Sequence, residues 1–569
     1  MKRMIALLMS VCLVLALLSG CGGTTVSVST QAPQSTEAVT ETAPSGEQFS
    51  DGDYKTVSAD TANATITLSG SEGTISDTTR GSSGSTVTIT SKGSYYVTGA
   101  SDGVQLVVDD STKSGNVYLI LDAVSMTNSE ECIVVENADK VILQLSGGSR
   151  LTSTAPDKGA VYARDDLTVN GSGSLTVVSA RHGVVCSNDL KVTDGTLTVT
   201  AEGDALRAGD TVRIGGGTLT LTAGDDGVQV DSDEGDGYFY MEGGVVTIDA
   251  GYDGIDVGTG EAVDYTGYLQ ITGGTLSVTA GGGSGEAKGS ESTKGLKCDG
   301  GVYLSGGTVS VSSADDAVHA GGDVTVSGGT VSLSSSDDGV HADAAVSITD
   351  GVLTVSKSYE GLEGETVTIE GGTISVYASD DGVNAAGGSD SSSDERGPWS
   401  QSANTGVITI SGGELYVNAG GDGIDSNGSI YVTGGYTIVE GPTSSGNGAL
   451  DKGDGSDCVC SITGGTVLAL GTADMAVNFD SGSQCSALVS LVGYPGNTVI
   501  VNDGSGFSYT VSKAFSCAVY SSPNLREGQS YIISAGTDSA TMDFSSGLYY
   551  STVASMGGGM GGKGGPGGR

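Results

Sequence analysis

Two stretches of the chain, "SSADDAVHAGG" at 312–322 and "SSSDDGVHADA" at 334–344, set two adjacent carboxylates, an aliphatic residue and a histidine in the same order. Asp315, Asp316 and His319 thus recur 22 residues on as Asp337, Asp338 and His341. Related stretches carry Asp225 and Asp226, Asp253 with Asp256, Asp380 and Asp381, and Asp422 with Asp425. Carboxylates repeated at one place supply what a hard cation needs. Calcium takes about six to eight oxygens at about 2.3–2.6 Å, and these twelve aspartates are its expected ligands. The competing reading is turn chemistry, since Asp and Gly are ordinary turn residues and an Asp side chain bonds its own turn. An Asp pair followed by a further Asp, as in Asp253 with Asp256, exceeds what a turn requires.

The position after the acidic turn forms a second series: Arg207, Gln229, Asp256, Lys297, His319, His341, Glu363, Asn384 and Asp425. Apolar neighbours on both sides predict that this series points to solvent. His319, His341, Lys297 and Asn384 are therefore expected to contact a ligand. A metal role for the two histidines is disfavoured, because their neighbours are carboxylates and a lysine rather than thiols. Trp399, the single tryptophan, lies in the polar segment 387–406 and is a candidate platform for a sugar ring or a surface contact.

What positions these residues is a repeat. Aligned on Gly pairs, "RIGGGTLTLTAGDDGVQV", "YLSGGTVSVSSADDAVHA", "TVSGGTVSLSSSDDGVHA" and "TIEGGTISVYASDDGVNA" share one template of about 22 residues. Each unit holds three short alternating runs, such as Val324 and Val326, Val331 and Leu333, Val340 and Ala342. Alternation with period two puts those side chains on one face, so each unit is three strands that cannot bury their apolar face alone. Stacking units as rungs of a parallel β-helix closes a continuous core. A β-propeller needs about 40 residues and four strands per blade, which the period disfavours. Insertions at 231–237, 258–267, 281–294 and 387–406 all flank the third strand, and loops gathered on one edge build sites.

Composition agrees: 569 residues carry 96 glycines and 8 prolines, with no three-residue glycine period to suggest collagen. With 68 acidic against 24 basic residues the formal charge is −44, which excludes nucleic acid as a natural partner and favours cations or ligands bridged by them. "MKRM" and the apolar run Ile5 to Leu18 read as a secretory signal over 1–20. "LSGC" is similar to a bacterial lipobox, with Cys21 the lipidated first mature residue of an exported protein anchored on the extracellular face of the membrane. Residues 21–58 read as a Ser/Thr-rich tether, 59–484 as the repeat domain, 485–550 as a small β cap and 551–569 as a Gly-rich tail. The remaining cysteines, Cys132, Cys186, Cys298, Cys458, Cys460, Cys485 and Cys517, read as small buried hydrophobes.

The segments "GASDGVQLVVDD", "KGAVYARDDLTVNGSGSLTVVSARHGVVCSNDLKVTDGTLTVTA" and the later Gly-Gly-Thr repeats resemble a bacterial carbohydrate-binding parallel β-helix family, that of the calcium- and acid-sugar-binding proteins of cellulolytic clostridia. The likeness runs over about residues 60 to 550. It implies an all-β, right-handed parallel β-helix related to pectate lyases, bound calcium, and binding of polygalacturonate or cellulose at a cell surface. Two alternatives stand beside binding. One is a calcium-dependent lyase with Lys297 as base, near Asp256 and Asp299. The other is a structural or adhesive stalk.

Overall fold

Alternating residues decide the local structure as expected. In the repeat 301–320, Gly301–Leu304, Thr308–Ser313 and Val318–Ala320 are strands. Val302, Leu304, Val309, Val311, Val318 and Ala320 face one continuous apolar core, and the residues between them face away. The computed structural model describes residues 46–233, 235–258, 265–385 and 405–553. All belong to the unit Ala43–Arg569. The fold is almost all β, with 54% of residues in strands and 1% in helices.

Each strand of a repeat pairs in parallel with its equivalent in the next. Val302 pairs with Val324, Val309 with Val331 and Val318 with Val340, so three ladders run side by side. Among the described residues the first and second ladders merge into one 32-stranded sheet where long strands such as Val324–Ser335 serve both, and the third is a separate 16-stranded sheet. Insertions leave the ladders in register: Asp256 pairs with Lys297 and Asn384 with Asp425 across insertions on the third ladder.

The turn between the first two ladders explains the Gly pair. Gly307, Gly329 and Gly372 sit at φ of 76°, 80° and 83°, a region that a side chain disfavours. A Cβ on Gly329 would also lie 2.8 Å from the Gly306 carbonyl carbon, because the turns stack directly on each other.

The chain enters earlier than the composition suggested. Residues 46–58 were expected to continue the tether, yet they pack across the first ladder. Phe49 is buried, and Asp53, fully buried, bonds Lys140 Nζ at 2.7 Å and Thr168 Oγ1 at 3.1 Å. Gln144 holds the Val57 backbone at 2.7 and 2.8 Å. A polar segment can dock when each buried charge meets a partner. After Thr466–Gly471 the pairing turns antiparallel, through Phe515–Ser521, and a four-stranded antiparallel sheet follows with its own apolar cluster around Phe507, Tyr520 and Phe544. Cys132, Cys186, Cys298, Cys458, Cys460, Cys485 and Cys517 are all buried and unpaired, as read from sequence. Cys21 and Trp399 lie outside the described residues.

Candidate functional site

The third ladder aligns the expected series side chain by side chain. Arg207 pairs with Gln229, and the register continues through Asp256, Lys297, His319, His341, Glu363, Asn384 and Asp425 to Asp451. The column points away from the core, but its expected exposure needs correction. Asp256, His341, Glu363 and Asn384 are all more than nine-tenths buried. Each side chain lies against its neighbours above and below and against the carboxylates of the adjoining turn. His341 and Asn384 therefore do not offer an open surface to a sugar.

The turn carboxylates form a second column with a divided role. Asp226 donates its backbone N–H to Asp204 Oδ1 at 3.3 Å, Asp253 to Asp226 Oδ1 at 2.9 Å, and Lys294 to Asp253 Oδ1 at 2.7 Å. The pattern resumes with Asp338 onto Asp316, Glu360 onto Asp338, both at 3.1 Å, and Asp422 onto Asp381 at 2.6 Å. One oxygen of each carboxylate thus ties consecutive repeats together. Turn chemistry accounts for that oxygen, and the second oxygen is left to face the column.

On several repeats the chain supplies its own countercharge. Lys297 Nζ lies 3.3 Å from Asp253 Oδ2 and 3.1 Å from Asp256 Oδ2. Burial opposes its charge, but Asp256 and Asp253 outweigh that and hold the ammonium above the usual lysine range. A lysine so held has no free pair to accept a proton, which weighs against Lys297 as a lyase base. The insertion 281–294 folds back to deliver Lys288 and Lys294 to the next acidic pair. Lys294 Nζ meets Asp316 Oδ2 at 2.6 Å and Asp315 Oδ1 at 3.3 Å, while Lys288 reaches Asp315 at 3.0 Å and also Asp337. His319 Nδ1 adds Asp316 Oδ2 at 3.0 Å. Asp225 is paired with Arg181 at 2.8 Å. Asp253 with Asp256, and Asp315, Asp316 and Asp337, thus each lie within ion-pair distance of a lysine ammonium, and the latter three also present oxygens within 4.8 Å of one another.

Further along, the compensation stops. Asp381, Asp422 and Asp425 present oxygens within 4.8 Å of one another. Among the described residues no lysine, arginine or histidine forms an ion pair with them. Burial, compounded by Asp451 and other nearby carboxylates, pushes Asp381 up to about 6, Asp422 to about 7 and Asp425 to about 8. Asn384 pairs with Asp425 in register, gives its Nδ2 to Glu360 Oε2 at 2.6 Å, and keeps a buried Oδ1 with no hydrogen-bond partner. Three carboxylates this close form an all-oxygen donor set, the kind that calcium takes. Asp425 also lines a cavity of about 640 Å3, with Asp451, Lys452, Asn478 and Phe479 among its walls.

Between these regions stands His341. Its Nδ1 faces Glu363 Oε2 at 2.9 Å and Asp338 Oδ2 at 3.3 Å, and its Nε2 faces Asp343 Oδ1 at 3.4 Å. Burial works against its charge, but the three carboxylates hold it well above the usual histidine range. The His319 and His341 rings stack, with centroids 4.9 Å apart. Lys288 and Asp343 were not singled out from sequence, whereas Glu360 stands at the acidic-turn position of its repeat. Lys288 was detectable as a lysine inside an insertion beside the acidic turns, whereas Asp343 carried no signal beyond its position.

The chain belongs to the family of carbohydrate-binding domain-containing proteins, whose model matches residues 83–339, 322–393 and 338–504. A curated relative from Acetivibrio thermocellus, itself described as a carbohydrate-binding domain-containing protein, is 33% identical over 123 residues, which are 19% of this chain and 43% of the relative. The match spans less than half of that relative's length. A polysaccharide lyase-like protein from C. thermocellum, solved as a gadolinium derivative, aligns over 50% of this chain and 96% of its own at 24% identity, with a TM-score of 0.33. That score is too low to carry fold or function across.

Proposed function

We propose that this chain is a calcium-dependent carbohydrate-binding protein for plant-type polysaccharide, with an acidic, polygalacturonate-like polymer as its ligand and cellulose as a second. Its ladders coil as a right-handed parallel β-helix of about 22-residue rungs closed by the C-terminal antiparallel strands as a cap. Lipid on Cys21 holds it on the outer face of the cell membrane. Membership of the carbohydrate-binding family supports the ligand class. The observation that carries the calcium reading is the trio Asp381, Asp422 and Asp425, three close carboxylates that meet no cationic side chain among the described residues.

Charge explains why a cation belongs in the reading. A chain of formal charge −44 repels a polyuronate, and a dication held by protein carboxylates leaves coordination positions for a uronate carboxylate. Asp381, Asp422, Asp425 and the Asn384 amide oxygen would hold the ion, and the adjoining cavity has room for sugar residues. The test is a pull-down on polygalacturonate, cellulose and an uncharged mannan, with calcium and with chelator. Retention on polygalacturonate that needs calcium is expected. Equal retention on all three polymers, or none on any, would remove the proposal. Anchoring is checked separately: fatty-acid labelling is expected in the wild type and lost in Cys21→Ala.

A further inference from the structure

The two Asp-Asp-x-x-His stretches are alike in sequence but differ in what surrounds the ring. His319 Nδ1 meets one carboxylate, Asp316, and one proton satisfies that contact. His341 Nδ1 meets two, Asp338 Oδ2 and Glu363 Oε2, and a ring nitrogen carries a single hydrogen. We propose that His341 Nδ1, Asp338 Oδ2 and Glu363 Oε2 form a site for one borderline transition-metal dication, zinc in the first instance, which takes the place of the Nδ1 proton released to solvent and is separate from the all-oxygen calcium site.

Three observations carry it. The ligand atoms lie within 4.8 Å of one another, and the two nitrogen–oxygen separations, 2.9 and 3.3 Å, lie just below and at the spacing of about 3.3 Å that tetrahedral zinc imposes with bonds of about 2.0–2.1 Å. The other ring nitrogen, Nε2, faces Asp343 Oδ1 at 3.4 Å, which is the outer carboxylate that fixes the tautomer of a metal-bound histidine. The Asp338 carboxylate is oriented as a ligand, because its Oδ1 accepts the Glu360 N–H at 3.1 Å and Oδ2 is thereby aimed at the ring. His341, Asp338 and Glu363 are exposed by only 2%, 8% and 8%, so the ion would be held in a nearly dry site with one position left for water. Imidazole with carboxylates selects zinc and its first-row neighbours over calcium, which prefers oxygen alone.

The experiment uses the full chain, stripped with chelator, incubated with zinc and passed through gel filtration in millimolar calcium. One zinc per chain is expected to remain, and cobalt(II) in its place should give the intense visible bands of a low-coordinate site. Glu363→Gln and His341→Gln should each lose the zinc and the cobalt spectrum by tenfold or more, while His319→Gln keeps both. Thermal melts show whether each variant is folded. If His341→Gln is not, the nearly isosteric Glu363→Gln decides. A wild type that emerges without zinc, zinc displaced by calcium, or equal zinc in wild type and Glu363→Gln would each overturn the site.

Discussion

Lys294 shows how the acidic column is kept soluble in its own protein. Its side chain is 7% exposed and bridges Asp315 and Asp316 from within an insertion. Removing one partner of a buried ion pair costs about 3–5 kcal/mol, because the remaining charge stays buried and unpaired. Lys294→Met is therefore expected to lower stability by about that amount, and Lys288→Met by less, since Lys288 is more exposed. Chemical denaturation of the three proteins measures this. Equal stability of wild type and Lys294→Met would show that the column tolerates its charge without help. The aspartates and the column through Asp425 were legible in the sequence, because spacing fixes what stacks on what. Their neutralisation was not, since an insertion's path does not follow from a period.

The elements make two testable demands. The stacked glycine turns leave no room for a side chain, so Gly329→Ala should destabilise by about 1 kcal/mol from its φ of 80° alone, and by more through the 2.8 Å backbone contact. A melt would show it, and Gly46→Ala, with nothing within 4 Å of the added atom, serves as the neutral control. The N-terminal segment makes a pH-dependent demand. Burial raises the Asp53 carboxyl, but Lys140, Ser50 and Lys191 outweigh it and hold the group below the usual carboxylate range. A depressed carboxylate stabilises fully above its unfolded value of about 3.9 and loses that contribution as pH falls through the folded value. Asp53→Asn should thus melt lower than wild type at pH 7, with the gap closing below about pH 4. A gap independent of pH would remove the ionic account of this docking. The docking itself was hidden in the sequence, where 46–58 is as polar as the residues before it.

Across the whole molecule, the strands and their parallel register were readable because alternation and a fixed period leave few ways to bury so many valines and leucines. The sites were less readable, because the same Asp-Asp-x-x-His pattern gives a lysine-filled repeat at Asp316 and a doubly faced imidazole at Asp338. What distinguishes the calcium proposal is that only part of the acidic column is free to take a cation. Calorimetric titration of polygalacturonate into the wild type and an Asp422→Asn, Asp425→Asn variant, each in calcium, magnesium and chelator, tests this directly. The account predicts binding in calcium to the wild type, at least tenfold weaker binding in magnesium or to the variant, and none in chelator. Equal affinity of wild type and variant, or binding that persists in chelator, would contradict it.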